Sequence, residues 1–136
     1  MGIIDFVKSA GKALGILSND SVKKEVEDYG LDVGDLDISV DGDKVVIEGM
    51  PNNPEEREKI ITAIGNIEGI SAVDDAMGGD LANDFYTVRS GDTLSAIAQE
   101  VYGDGGRYQE IFEANTPMLD HPDKIYPGQV LVIPKD

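Results

Sequence analysis

His121 is the chain's only histidine, and it lies in Leu119-Asp120-His121-Pro122-Asp123 with no second ligand at metal-binding spacing. Zinc there would have to draw its other partners from carboxylates alone, so a solvated loop histidine is the better reading. No cysteine is present, which removes both disulfides and thiolate metal sites. The residue types of a Ser–His–Asp triad occur, but no nucleophile elbow presents a serine. Asp41-Gly42-Asp43 and Gly79-Asp80 lack the further oxygen positions and closing Glu of a calcium-binding EF-hand loop. Asp74-Asp75 has the pairing that acid–base work uses, yet adjacent carboxylates at a strand end ordinarily form a solvated face. No Walker-type or dinucleotide glycine motif appears. Side-chain chemistry therefore points away from an enzyme.

The elements that would carry any site follow from periodicity. Ile3, Phe6, Val7, Ala10, Ala13, Leu14 and Leu17 recur at helical spacing, predicting an apolar N-terminal helix over residues 1–17 that docks on the rest of the protein. Ser18-Asn19-Asp20-Ser21 supplies capping residues for an amphipathic helix over Val22–Tyr29, stopped by Gly30. Leu36, Ile38 and Val40 alternate with polar residues, Asp41-Gly42-Asp43 turns, and Lys44–Gly49 returns as a second strand. Pro54 suits the first turn of a helix running from Glu55 towards Ile64, ended by Gly65, and Ile70–Asp75 reads as a third strand. Residues 77–84 form a short glycine-bearing linker. The organisation is α+β in two small domains: a helix–hairpin–helix–strand unit over 18–76 and a second unit over 85–136.

Charge narrows the partners. With 27 acidic and 11 basic side chains the net charge is −16. Such a surface repels nucleic-acid phosphates and anionic membranes, and it concentrates cations. Charges at Asp5, Lys8 and Lys12 interrupt the apolar N-terminus, so no signal peptide is expected. No run reaches the roughly 18 apolar residues of a membrane-spanning helix. We expect a cytoplasmic monomer that neither binds nucleic acid nor inserts into a membrane.

Two resemblances add to this. Tyr86-Thr87-Val88-Arg89-Ser90-Gly91-Asp92-Thr93-Leu94-Ser95-Ala96-Ile97-Ala98, Ile111-Phe112-Glu113-Ala114-Asn115 and Ile125-Tyr126-Pro127-Gly128-Gln129-Val130-Leu131-Val132-Ile133-Pro134 resemble the LysM module, a βααβ domain whose relatives bind peptidoglycan or chitin. The resemblance implies a glycan groove at Gly91, Asp92, Thr93, Leu94, Asn115, Ile125 and Tyr126, although the same residues are needed for turns and core. Val45-Val46-Ile47-Glu48-Gly49, the helix after it, and Asn66-Ile67-Glu68-Gly69-Ile70-Ser71-Ala72-Val73 resemble the BON domain, found in bacterial osmotic-stress proteins.

BON followed by LysM, after the start Met1-Gly2-Ile3-Ile4-Asp5-Phe6-Val7-Lys8, is similar to the bacterial cytoplasmic potassium-binding proteins of BON–LysM type. The resemblance implies K⁺ held by main-chain carbonyls of Val7, Lys8, Ala10, Gly65, Ile67 and Ile70, with ion binding ordering the two domains as in a sensor. Neutral carbonyl dipoles suit a large monovalent ion, whereas carboxylate cages favour hard divalent ones. The expected carbonyl sources are two helix ends, Val7–Gly11 and Ile64–Asn66, whose last C=O groups lack intrahelical partners. By pattern alone the better reading of both segments is ordinary C-caps packed on a core. The whole-chain resemblance is what assigns the ion, and a glycan-binding LysM adaptor of the cell envelope stands as the alternative.

Overall fold

The computed structural model describes residues 2–77, 81 and 83–135. Its elements run β1 (Gly2–Asp5), α1 (Asn19–Asp28), β2 (Asp37–Asp41), β3 (Lys44–Gly49), α2 (Pro54–Gly65), β4 (Ala72–Met77), β5 (Asp84–Thr87), α3 (Leu94–Tyr102), a 3₁₀ turn (Gly105–Arg107), α4 (Tyr108–Ala114) and β6 (Val130–Ile133). The fold is α+β, with the two units in the expected order.

The N-terminal helix is the main correction. Residues 2–5 form an edge strand instead, antiparallel to β4, with Ile4 opposite Val73 and Asp5 opposite Ala72. The reason is local. Gly11 and Gly15 take left-handed φ values of 104° and 86°, which no helix through them could keep, so a segment this short has no room to nucleate. An unpaired edge of β4 offers it ladder hydrogen bonds instead. The segment docks by strand addition and by Phe6, which is buried in the first core.

The first unit is a four-stranded sheet ordered β1-β4-β3-β2. The hairpin β2–β3 has the alternation its sequence predicts: Ile38, Val45 and Ile47 are buried, and their neighbours are not. The chain then crosses through α2 to place β4 parallel to β3. Ser18 caps α1 in a capping box with Ser21, and Asn53 caps α2 through the Glu56 N–H. Both helices cover one sheet face, where Val22, Val26, Ile60, Ile61, Ile64, Ile67 and Ile70 are fully enclosed. Each such side chain contributes about 1.5–3 kcal/mol relative to exposure. β4 starts two residues later than predicted, because a turn from Ile67 to Ile70 and Gly69 at φ 100° precede it.

Second-unit packing is βααβ, as the sequence reading has it. β5 and β6 pair antiparallel, and α3 and α4 close over them around Val88, Leu94, Ile97, Ile111, Leu119, Leu131 and Ile133. Thr93 caps α3 by accepting the Ala96 N–H. Half of the expected linker, residues 78–80 and 82, lies outside the described residues. Its flanks are anchored on consecutive residues of α2. Arg57 holds Asp75 in a buried ion pair at 2.6 Å, and Asp75 also accepts the Met77 N–H. Glu58, fully buried, accepts both the main-chain and side-chain N–H of Asn83 at 2.7 and 2.9 Å. The units meet closely: Val130 of β6 belongs to the first unit's core, and Phe85 packs against it.

Candidate functional site

The α2 helix ends at Gly65, and no basic side chain occupies its last turn. No side chain of that turn therefore offsets the partial negative charge of its carbonyl end. Against that end lies the N-terminal segment, which leaves β1 and runs beside the 66–71 loop through four main-chain hydrogen bonds. Phe6 N–H donates to Ser71 C=O at 2.9 Å, Gly69 N–H to Lys8 C=O at 2.8 Å, Lys12 N–H to Asn66 C=O at 2.9 Å and Glu68 N–H to Lys12 C=O at 2.9 Å.

Glycines permit this approach. A Cβ on Gly65 would lie 2.1 Å from Phe6 ring carbons, and one on Gly11 would lie 2.2 Å from the Asn66 carbonyl oxygen. The second unit closes over the same place. A Cβ on Gly128 would come 2.8 Å from the Ala10 Cβ and 3.3 Å from Val7.

All six carbonyl residues named from the sequence thus fall on two touching segments. Val7, Lys8 and Ala10 lie on the N-terminal one; Gly65 stands at the end of α2, with Ile67 and Ile70 on the loop after it. One expectation is corrected: residues 7–11 are a turn after a strand, not a helix end, with the Ala10 N–H on the Val7 carbonyl at 3.1 Å. The Lys8 and Ile67 carbonyls accept the N–H groups of Gly69 and Ile70. Each such oxygen keeps a second lone pair. The carbonyls of Ala10 and Gly65 accept no main-chain donor among the described residues. A carbonyl set of this kind suits a large monovalent cation. Among the described residues there is no group of three His, Cys, Asp or Glu side chains able to hold a metal ion.

Side chains around the junction are tied down. Lys12 Nζ pairs with the nearly buried Glu25 at 3.0 Å and lies 5.9 Å above the Tyr29 ring. Burial, then the charge of Glu25, pushes the Tyr29 phenol well above its ordinary pKa. Tyr126 of the second unit is close enough to Tyr29 to add to that rise, and burial raises its own phenol too.

Asn66 was not singled out from the sequence as a side chain. It is buried at the end of α2, and its amide spans the two units. Its Nδ2 donates to the Val130 C=O and its Oδ1 accepts the Val130 N–H, both at 2.8 Å. A polar residue flanked by the apolar Ile64 and Ile67, directly after a helix stop, is the signal that could have found it.

The expected glycan residues have unlike surroundings. Thr93 and Leu94 line a shallow concavity of about 360 Å³ with Ser95, Tyr108, His121, Pro122 and Asp123. Gly91 and Asp92 form the turn beside it. Asp92 accepts the Arg89 N–H and the Tyr86 hydroxyl, which hold its carboxyl below the ordinary range. Ile125 packs on the second core, and Tyr126 is half-buried. Asn115 is a correction: it is buried, its amide bonded to Val132 N–H and C=O at 2.7 and 2.8 Å, because the free edge of β6 needs partners.

Compared with known sequences, residues 19–77 match the BON domain and residues 86–134 the LysM domain. The chain is 45% identical, over the full length of both proteins, to the potassium binding protein Kbp of Escherichia coli O6:H1. An uncharacterized protein of Deinococcus radiodurans is 34% identical over 113 residues, 73% of this chain and 44% of that one.

Proposed function

This chain belongs to the BON–LysM family that includes the potassium binding protein Kbp, and we propose that it too binds K⁺, through main-chain carbonyls where its N-terminal segment meets the end of α2. Val7, Lys8, Ala10, Gly65, Ile67 and Ile70 supply the oxygens. Gly128, on the loop before β6, brings the LysM domain onto the same segment, so an ion that orders the carbonyls also orders the domains. The protein acts as a sensor, with domain docking as its output and no catalytic step.

The observation that carries this reading is the four-bond apposition of residues 6–12 and 66–71 against the end of a helix whose own last turn holds no basic residue. Carbonyl dipoles can replace the hydration shell of K⁺ without the strong trapping that carboxylates would impose. The helix end adds favourable partial charge. The overall charge of −16 raises the local cation concentration but does not choose between cations.

Carbonyl ¹³C resonances of the intact protein, followed during a KCl titration at constant ionic strength, test the site. The six named carbonyls should shift together and saturate. Saturating shifts confined to side-chain carboxylates would replace this site with a carboxylate one.

A further inference from the structure

Strand β6 has β5 on one edge only. On its other edge the main-chain groups of Val130 and Val132 are each taken up by an asparagine amide, with N–H donated to Oδ1 and C=O accepting from Nδ2. Asn115 serves Val132 from within the LysM domain. Asn66 serves Val130 from the other domain, and the Val130 side chain follows into the BON core. The two pairs are alike in chemistry and length. They differ in what would separate them: unfolding of LysM for one, undocking of the domains for the other.

Asn66 is also fixed at its main chain. Its N–H donates to Thr62 C=O at 3.0 Å and its C=O accepts the Lys12 N–H at 2.9 Å. It is thus the residue between Gly65 and Ile67, it ties down the N-terminal segment, and its side chain leaves for the LysM strand. Moving the loop moves the amide.

We propose that Asn66 couples the ion loop to the LysM domain: its main chain helps close the carbonyl cluster while its side chain stands in for a strand at Val130. The inference rests on the K⁺ reading above. In the docked state the amide satisfies two groups that are otherwise buried, and in the undocked state water satisfies them. Removing the amide therefore penalises only the docked state. Because docking and ion binding are linked, the loss must appear in K⁺ affinity as well.

Amide hydrogen exchange on the unmodified protein, with and without saturating KCl, is the first test. Protection of the Val130 N–H should rise at least tenfold with K⁺, and that of Val132 should change by less than about twofold. Equal responses at both amides, or none at Val130 while calorimetry shows K⁺ binding, would overturn the coupling and leave the ion reading standing. Absence of any K⁺ binding in the same sample would overturn both. The second test is Asn66→Ala, expected to bind K⁺ about tenfold more weakly and to lose the K⁺-dependent protection at Val130. Unchanged affinity in a folded N66A protein would overturn the proposal. Should that variant not fold, the exchange measurement on the unmodified chain decides.

Discussion

The ring of Phe6 fills the space beside Gly65 that any side chain there would need, with ring carbons 2.1 Å from where a Cβ would stand. One apolar side chain from the N-terminal segment is thus seated on the last residue of α2.

Gly65→Ala follows directly. The methyl group must displace Phe6, and overpacking of this kind costs about 1–3 kcal/mol. Urea denaturation should show that loss. Exchange at the Phe6 and Lys12 amides should rise, because both lie on the segment that is pushed away. A variant as stable as the parent, with those amides still protected, would show that Phe6 is not what holds the segment.

Arg57 and Asp75 give a different kind of test. Their side chains are both 3% exposed and 2.6 Å apart. Arg57→Met leaves the Asp75 carboxylate buried without its guanidinium, a loss of about 3–5 kcal/mol. Replacing both, as Arg57→Met with Asp75→Leu, should recover most of that stability, since apolar pairs of similar volume often match a buried ion pair. Equal denaturation midpoints for the single and double variants would contradict this account of the pair.

At alkaline pH the domain junction should weaken. Tyr29 and Tyr126 are both held protonated above the ordinary phenol value of 10.0, by burial and, for Tyr29, by Glu25 as well. A raised folded-state pKa contributes stability that is fully present below the unfolded value and is lost as pH rises through the folded one. Stability should therefore be flat in this respect up to about pH 10 and fall beyond it. Tyr29→Phe should reduce that fall. Spectrophotometric titration should show these two phenols ionising late; early ionisation of all five tyrosines would remove the basis for the prediction.

Acid should weaken the LysM turn. Asp92 is held below the ordinary carboxylate value of 3.8 by the Arg89 N–H, then by the Tyr86 hydroxyl. A depressed pKa contributes stability present above the unfolded value and lost as pH falls through the folded one, so the loss belongs below about pH 4. Asp92→Asn should lower LysM stability near neutrality and flatten the acid limb of its unfolding curve. An unchanged acid limb would assign the acid sensitivity to other carboxylates.

Much of this was legible in residue order. The strand alternation at Ile38, Val45 and Ile47, the cap at Ser18 and the stop at Gly65 are local signals with local causes. The N-terminal strand was not legible, because Ile3, Phe6, Val7 and Ala10 have helical spacing and only the open edge of β4 makes a strand preferable. Asn115 looked like a groove residue because nothing in the sequence announces that the far edge of β6 needs an amide. Asn66 was hidden for the same reason. Carbonyl donors are the extreme case: any residue type can supply one, so Val7 or Ile67 could be named only by resemblance. The touching segments, the four hydrogen bonds and the glycine contacts give that naming its physical setting.

The central claim is selective binding of K⁺, and calorimetric titration with KCl against NaCl at constant ionic strength meets it most directly. The account predicts a saturable heat for one K⁺ per chain, little or none for Na⁺, and loss of the K⁺ heat in Gly65→Ala. Equal heats for the two ions, or none that saturates, would contradict it.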